Sequence, residues 1–477
     1  MGELCQIRGG RRAVAYWIHF GLCWRASTGE EPRVTVKQLQ AKGVRILRLV
    51  YSDLYGVQRG KDVLLTRAAH AISHGKPFVE AVMTIDHAHN IVSGEEDGFR
   101  DFAAVPDLST ARIDPRDPEV AVVLCDLVEV PGGAPADLDP RGALKRIVGR
   151  LEKRGLRPVA AHELEFYLME HDPNGVGGLA PLAMRDSCVY TVGPLADPTG
   201  IARRMFDACE AFGLDPISMA QEYGHAQHEI NLTHGPAVEA ADRAFLFKSL
   251  IKEIAAQAGI VATFMGMPVD GDESSGFHLH VSLCDKADKN RLDQPRGAAG
   301  LSDLAYHFTA GVIAHGRGLS GVLNPTVNAY KRIITGGLSP KFANWGHDNR
   351  MAMVRFCSER GPATRIEVRN GDGSANPYLV TAAVLAAGLD GIERKLDPPA
   401  PVEGNFYEGP EELLGEPLPT SLGEALDALE ADSVLTDALG ARLCETYLRN
   451  KRYELDRWNA HLNRLTAWEI EEYADAL

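Results

Sequence analysis

Residues 161–170 read AHELEFYLME, and the chemistry lies in the spacing of Glu163 and Glu165. The apolar bulk around them (Val159, Leu164, Phe166, Tyr167, Leu168) predicts a β-strand. Strand side chains alternate between faces, so Glu163 and Glu165 share one face while Leu164 and Phe166 turn toward a core. Two carboxylates side by side repel each other, and burial raises the cost. A divalent cation between them answers both problems, because hard cations prefer carboxylate oxygen. The plain alternative is a solvated edge strand with two surface glutamates.

Other stretches repeat the alternation. GFHLHVS, residues 276–282, puts His278, His280 and Ser282 on one face. TRIEVRN, residues 364–370, puts Arg365, Glu367 and Arg369 on one face, with Ile366 and Val368 behind. EYGHAQHEINL, residues 222–232, places a turn at Gly224 between Glu222 and a strand carrying Gln227 and Glu229. A lone strand histidine is usually an ordinary hydrogen-bonded residue. Strands that repeatedly offer charged or metal-binding groups at period two are better explained as the walls of one polar cleft. Its arginines suit bidentate contacts to phosphate and carboxylate.

These strands need a scaffold. A chain of 477 residues exceeds one ordinary domain, and a hydrophobic fraction of 45% is ample for a core. The clearest linker is PGGAPADLDP, residues 131–140. We place a domain over 34–131, the linker over 132–140 and a larger domain over 141–477. Within the first, residues 44–50 and 58–65 read as a hairpin around DLYG. Within the second, helices are expected over 141–154, 199–212, 239–259, 301–318 and 378–396. Residues 324–349, rich in Gly, Pro and Asn, form a long irregular segment of the kind that is more often functional than idle.

Net charge of −15 argues against nucleic acid or an anionic membrane as partner. The eight cysteines form no C-x-x-C pair, the pattern of free thiols in a reducing cytosol. Residues 8–24 imitate a signal peptide, but His19 interrupts the apolar run and no clear cleavage site follows. Residues 1–33 therefore read as an unassigned extension or a misplaced start.

Taken together, DLYGVQRGK, PDLSTARIDP, HELEFYL, QEYGHAQHEIN, GFHLHVSL, NPTVNAYKR and TRIEVRNGDGSANPYL resemble the glutamine synthetase family, in the family's order, from about residue 44 onward. The resemblance implies an α+β protein, with a small N-terminal β-grasp domain followed by a large catalytic domain built on a curved antiparallel sheet with flanking helices. It implies ATP as co-substrate, two magnesium or manganese ions per site, glutamate and an amine as small-molecule substrates, and a homo-oligomeric ring, a dodecamer in the family, whose sites are shared between neighbours. Residue by residue, Glu165, Glu222 and Glu229 would hold the metal nearer the acceptor. Glu163, His278 and Glu367 would hold the metal on the ATP phosphates. His280 and Ser282 fall where the family contacts ATP. Arg350, Arg355 and Arg365 fall at its phosphate-binding arginines, with Arg350 acting in catalysis. Arg332 and Arg369 fall where it binds the glutamate carboxylates.

The departures concern the amine. After Tyr330-Lys331-Arg332, Leu338 stands where the family has the glutamate that deprotonates ammonium. In Gly75-Lys76-Pro77-Phe78-Val79, Val79 stands where it has the ammonium-pocket aspartate. Glu273-Ser274 replaces the Asn-Gly pair before His278. Aliphatic residues offer room and apolar contact, which an organic amine wants and ammonium does not. The resemblance is therefore strongest to the γ-glutamylamide branch, with Leu338 and Val79 at the amine and Glu273 as general base. Two alternatives stay open. In one, Glu80 or Glu273 replaces the lost carboxylates and ammonium is still the acceptor. In the other, the chain is a non-catalytic relative, although no metal ligand or phosphate-binding arginine is missing. Tyr407 falls near a tyrosine that some relatives adenylylate, but a role in packing a loop fits it better.

Overall fold

The structure is a computed structural model that describes residues 34–475, apart from 97, 131, 183–188, 336–337 and 411–413. The extension over 1–33 and the Gly336-Gly337 part of the segment after Arg332 lie outside the described residues.

The N-terminal sheet holds β1 (Ile46–Ser52), β2 (Gln58–Leu64), β3 (Lys76–Val79), β4 (Asp101–Pro106), β5 (Arg112–Asp114) and β6 (Asp117–Glu129). Its order is β2-β1-β6-β4-β3, with β5 beside β6. β1 runs parallel to β6 and antiparallel to β2. The β1–β2 hairpin closes as the DLYG signal predicts. The Asp53 carboxylate accepts the backbone N–H groups of Tyr55 and Val57 at 2.9 Å each, and Gly56 takes φ +77°. After β6 the chain is tied down again. Ala136 and Leu138 are buried, and Asp139 caps the helix Pro140–Glu152 by accepting from Arg141 N.

The larger sheet holds β7 (Arg157–His171), β8 (Leu179–Pro181), β9 (Pro216–Gln221), β10 (Gln227–Leu232), β11 (Gly235–Pro236), β12 (Val261–Thr263), β13 (Gly276–Cys284), β15 (Trp345–His347), β16 (Val354–Phe356) and β17 (Ile366–Asp372). Between β13 and β15, β14 (Phe342–Ala343) pairs outside this sheet with β18 (Glu416–Pro417). The order β15-β16-β17-β13-β7-β10-β9 puts β7 in the interior, with β8, β11 and β12 pairing along its extra length. The sheet is antiparallel as expected, except for the parallel β15–β16 pair. One face packs Phe166, Phe277 and Leu164 against the buried helices Ala237–Gln257 and Pro377–Arg394. That burial forces the alternate residues of the same strands onto the opposite face.

The helix expected over 301–318 is instead two, Asp303–Ala314 and Gly316–Leu323. His315 marks the break, with Nδ1 2.7 Å from Asp432 and Nε2 3.0 Å from Asp390. The irregular segment over 324–349 contains a short helix, Ala329–Thr335, which carries Arg332.

Candidate active site

Register brings the chemistry together. His278 lies opposite Glu163 across β13–β7, His280 opposite Glu367 across β13–β17, and Glu229 opposite Glu165 across β10–β7. All six side chains line one cleft of about 1010 Å³, together with Glu222, Glu273, Ser282, Arg332, Leu338, Arg350, Arg355, Arg365 and Arg369.

The cleft has two electrostatic halves. In the first, His278 Nδ1 is 2.8 Å from Glu163 Oε1 and 3.8 Å from Glu367 Oε1, and His280 Nε2 is 3.3 Å from Glu163 Oε2. Glu367, 1% exposed, accepts from Arg355 at 2.6 Å and from Arg369. Burial pushes the Glu163 carboxyl up, but hydrogen bonds from His278 and His280 outweigh it and hold it well below the usual range. Burial pulls the His280 imidazole down, but hydrogen bonds with Cys357 and Glu163 and the charge of Glu367 carry it up to about 10.

In the second half the carboxylates lack such partners. Burial, then the charges of Glu165 and Glu163, push Glu222 up to about 7, against the pull of Arg350. Burial and the charges of Glu163, Glu165 and Glu222 push Glu229 well up. Glu165 is oriented by neutral donors, Gln227 Nε2 and Gly276 N, both at 2.8 Å. Gly224 makes this packing possible, because a Cβ there would run into the Tyr167 hydroxyl, which itself donates to the Glu273 carbonyl at 2.7 Å.

This donor set fits hard divalent cations. Glutamates driven toward their protonated forms by burial and mutual repulsion are what a cation relieves. The ligand atoms of Glu163, His278 and Glu367 lie within 4.8 Å of one another. Glu165, Glu222 and Glu229 face the same space further apart.

The arginines divide by role. Arg332 is buried, donates to the Gly371 carbonyl at 2.6 Å, and leaves its Nε without a partner. Arg350 is exposed on the cleft wall, and its carbonyl accepts from Arg369 Nε at 2.9 Å. Arg365 meets Glu359 at 3.2 Å, and Arg355 bridges Asp348 and Glu367. The Ser282 hydroxyl is already engaged, donating to the Thr364 carbonyl at 2.7 Å and accepting from Asn290.

The residues expected at the amine do not all meet in this cleft. Leu338 is 49% exposed and lines the cleft. Val79 is 44% exposed on β3 and is not among the residues lining the cleft of its own chain. Glu80 is not free to act as a base. It is 7% exposed, paired with Arg442, and 3.3 Å from Arg100. Glu273 is exposed and faces the cleft. Tyr407 packs a loop, stacking on Phe406 at 4.5 Å and accepting from Lys341 N. Sequence reasoning missed Tyr190 and Tyr223 in the cleft wall, and Cys357 beside Glu367. Tyr223 stood next to Glu222 in the motif and could have been found. Tyr190 and Cys357 carried no local signal.

Residues 137–473 match the family model described as the glutamine synthetase catalytic domain. The glutamine synthetase of Pyrococcus abyssi is 34% identical over 464 residues, covering 92% of this chain and 98% of that one. That of Pyrococcus horikoshii is 36% identical over 456 residues, covering 91% and 96%. Among solved structures, a GmaS/ADP complex superposes with TM-score 0.82 at 32% identity, covering 92% of this chain and 99% of that one. Fold and cleft are those of an ATP-dependent ligase. The chain belongs to the glutamine synthetase family. ATP and divalent metals are general to that family. No helix among the described residues is long and apolar enough to cross a membrane.

Proposed function

We propose that this ligase joins the γ-carboxylate of glutamate to an amine larger than ammonia, through a γ-glutamyl phosphate. The observation that carries the reading is Leu338, an aliphatic side chain exposed in the cleft wall where the resemblance calls for the ammonium-binding glutamate. The locking of Glu80 by Arg442 supports it, since one of the two substitute carboxylates is already used. So does the likeness to GmaS, a γ-glutamylmethylamide synthetase. The curated relatives, named glutamine synthetase, favour ammonium as the rival acceptor.

In this reading Glu163, His278 and Glu367 hold one magnesium or manganese ion, and Glu165, Glu222 and Glu229 hold a second. Bound there, the ions neutralise phosphate charge. Arg332 and Arg369 hold the carboxylates of glutamate. A γ-carboxylate oxygen attacks the γ-phosphorus of ATP, and ADP leaves. Arg350, Arg355 and Arg365 stabilise the transferring phosphoryl group, with His280 and Ser282 on the nucleotide side. The amine nitrogen then attacks the acyl carbon and phosphate leaves. An alkylammonium must first lose a proton, since such groups have pKa near that of lysine, about 10.4. In this reading Glu273, which faces the cleft, takes it directly or through one water. Val79 would contribute from a neighbouring subunit, in a homo-oligomeric ring working in the cytoplasm, where buried free thiols such as Cys125 and Cys444 stay reduced.

The test is phosphate release from purified protein with ATP, magnesium and glutamate across a panel of amines. Faster release with alkylamines or polyamines than with ammonium is expected. Fastest release with ammonium makes the enzyme an ordinary glutamine synthetase.

A further inference from the structure

Cys357 follows β16 directly and is fully buried. Its Sγ is 4.0 Å from Glu367 Oε2. The ligand atoms of His280, Cys357 and Glu367 all lie within 4.8 Å of one another. Glu367 also belongs to the group Glu163, His278 and Glu367. Two donor sets therefore meet at one carboxylate, and they differ in chemistry.

The first set, two carboxylates and an imidazole, suits a hard ion. The second replaces a carboxylate with a thiol. Magnesium avoids sulfur, whereas zinc takes cysteine, histidine and carboxylate together, usually with four ligands. A fourth ligand is at hand, because Glu163 Oε2 is 3.3 Å from His280 Nε2.

We propose that His280, Cys357 and Glu367 form a thiolate-containing site for zinc or another borderline-soft divalent ion. Its occupation excludes the hard ion from Glu163, His278 and Glu367, and so stops the ligase. Binding breaks the S–H bond and displaces the proton from the coordinating imidazole nitrogen, both protons passing to solvent. No oxidation is involved. Arg355 must loosen its hold on Glu367, and it keeps Asp348 as a partner when it does. A buried cysteine is most often inert filling, and Cys209 is of that kind, with burial alone acting on its thiol. Cys357 differs because its sulfur faces an imidazole and a carboxylate. The inference rests on Glu367 as a metal ligand and not on the identity of the amine.

Cobalt(II) is the probe. Full-length protein, stripped of metal and free of substrates, is titrated with cobalt chloride while its near-ultraviolet and visible spectrum is recorded. A thiolate-to-cobalt charge-transfer band is expected in the wild type and in Cys209→Ser, and is lost in Cys357→Ser. Thermal melting establishes that each variant is folded, and Cys357→Ala replaces the serine variant if that one is not. In the magnesium-driven assay, half-inhibition by zinc should need at least about ten-fold more metal in the Cys357 variant, each protein being compared with its own uninhibited rate. Absence of the band from wild-type protein overturns the site without any variant, and so does an unchanged band in a folded Cys357 variant. Equal zinc sensitivity in both proteins overturns the exclusion. An error in the amine reading would change which acceptor releases phosphate and leave the cobalt spectrum untouched.

Discussion

Gln227 donates from one nitrogen to Glu165 Oε2 at 2.8 Å and to the Ser274 carbonyl at 3.0 Å. A single amide thus fixes a proposed metal ligand and the loop that carries the proposed base. Groups that orient metal ligands typically matter 10–100-fold in metal affinity or activity. Gln227→Leu should therefore raise the magnesium concentration for half-maximal rate by about ten-fold or more. Part of the rate should return at saturating magnesium. An unchanged magnesium dependence would remove Gln227 from this role.

Glu165 and Glu367 separate catalysis from stability. Glu165 faces the cleft and is held by neutral donors, so Glu165→Ala should abolish turnover with little change in melting temperature. Glu367 is buried between Arg355 and Arg369. Glu367→Ala leaves the buried Arg369 without its carboxylate, while Arg355 keeps Asp348, and breaking a buried pair in this way costs about 3–5 kcal/mol. It should lose turnover and melt well below the wild type. Full activity in either variant would end the metal assignment.

The period-two pattern was legible because it is local: each strand declares its own two faces. That is why Glu163, Glu165, His278, Glu229 and Glu367 could be placed in one cleft before any coordinates. The hairpin at Asp53 was legible for the same reason. Long-range partnerships were not. Nothing near Glu80 announces Arg442, more than 350 residues away, and that contact decides that Glu80 is structural. The break between the helices at His315 was also hidden. The apolar spacing runs on through it, and His315 at the break is held by Asp390 and by the helix-capping Asp432, both far along the chain. Cys357 looked like any scattered cysteine until strand pairing set it behind Glu367.

His315 gives a pH test outside the cleft. Burial pulls its imidazole down, but the hydrogen bonds it donates to Asp432 and Asp390 outweigh this and raise it above its ordinary value. Arg394 also donates to Asp390, at 3.0 Å. A raised folded-state value stabilises fully below the unfolded pKa of about 6.5 and is lost as pH rises through the folded value. Melting temperatures of wild type and His315→Gln, measured from pH 5 to about 9, should differ most at the acid end and converge as pH rises. A gap that widens with rising pH would contradict the assignment.

Assembly is tested by mass. Val79 is not among the residues that line the cleft of its own chain, so its proposed role calls for a neighbour. Light scattering should give a particle many times the 51.8 kDa chain. Val79→Asp should alter the acceptor's KM more than that of ATP. A fully active monomer would exclude the shared site.

The acceptor pocket is tested by putting back what Leu338 removed. Leu338→Glu places a carboxylate in the wall of the cleft that Glu222, Glu273 and Arg350 also line. A carboxylate there can hold a small cation and accept its proton, which an isobutyl group cannot do. The same change costs a bulky amine its apolar contact, about 25 cal/mol for each Å² that it would have buried. The ratio of kcat/KM for ammonium to that for the best amine should therefore rise, by about ten-fold for each 1.4 kcal/mol of combined effect. Glu273→Gln should lower kcat with every amine, most steeply at low pH, where less of the amine is free base. If Leu338→Glu leaves the ratio unchanged while Glu273→Gln still lowers kcat, the base is correctly placed and Leu338 does not choose the acceptor.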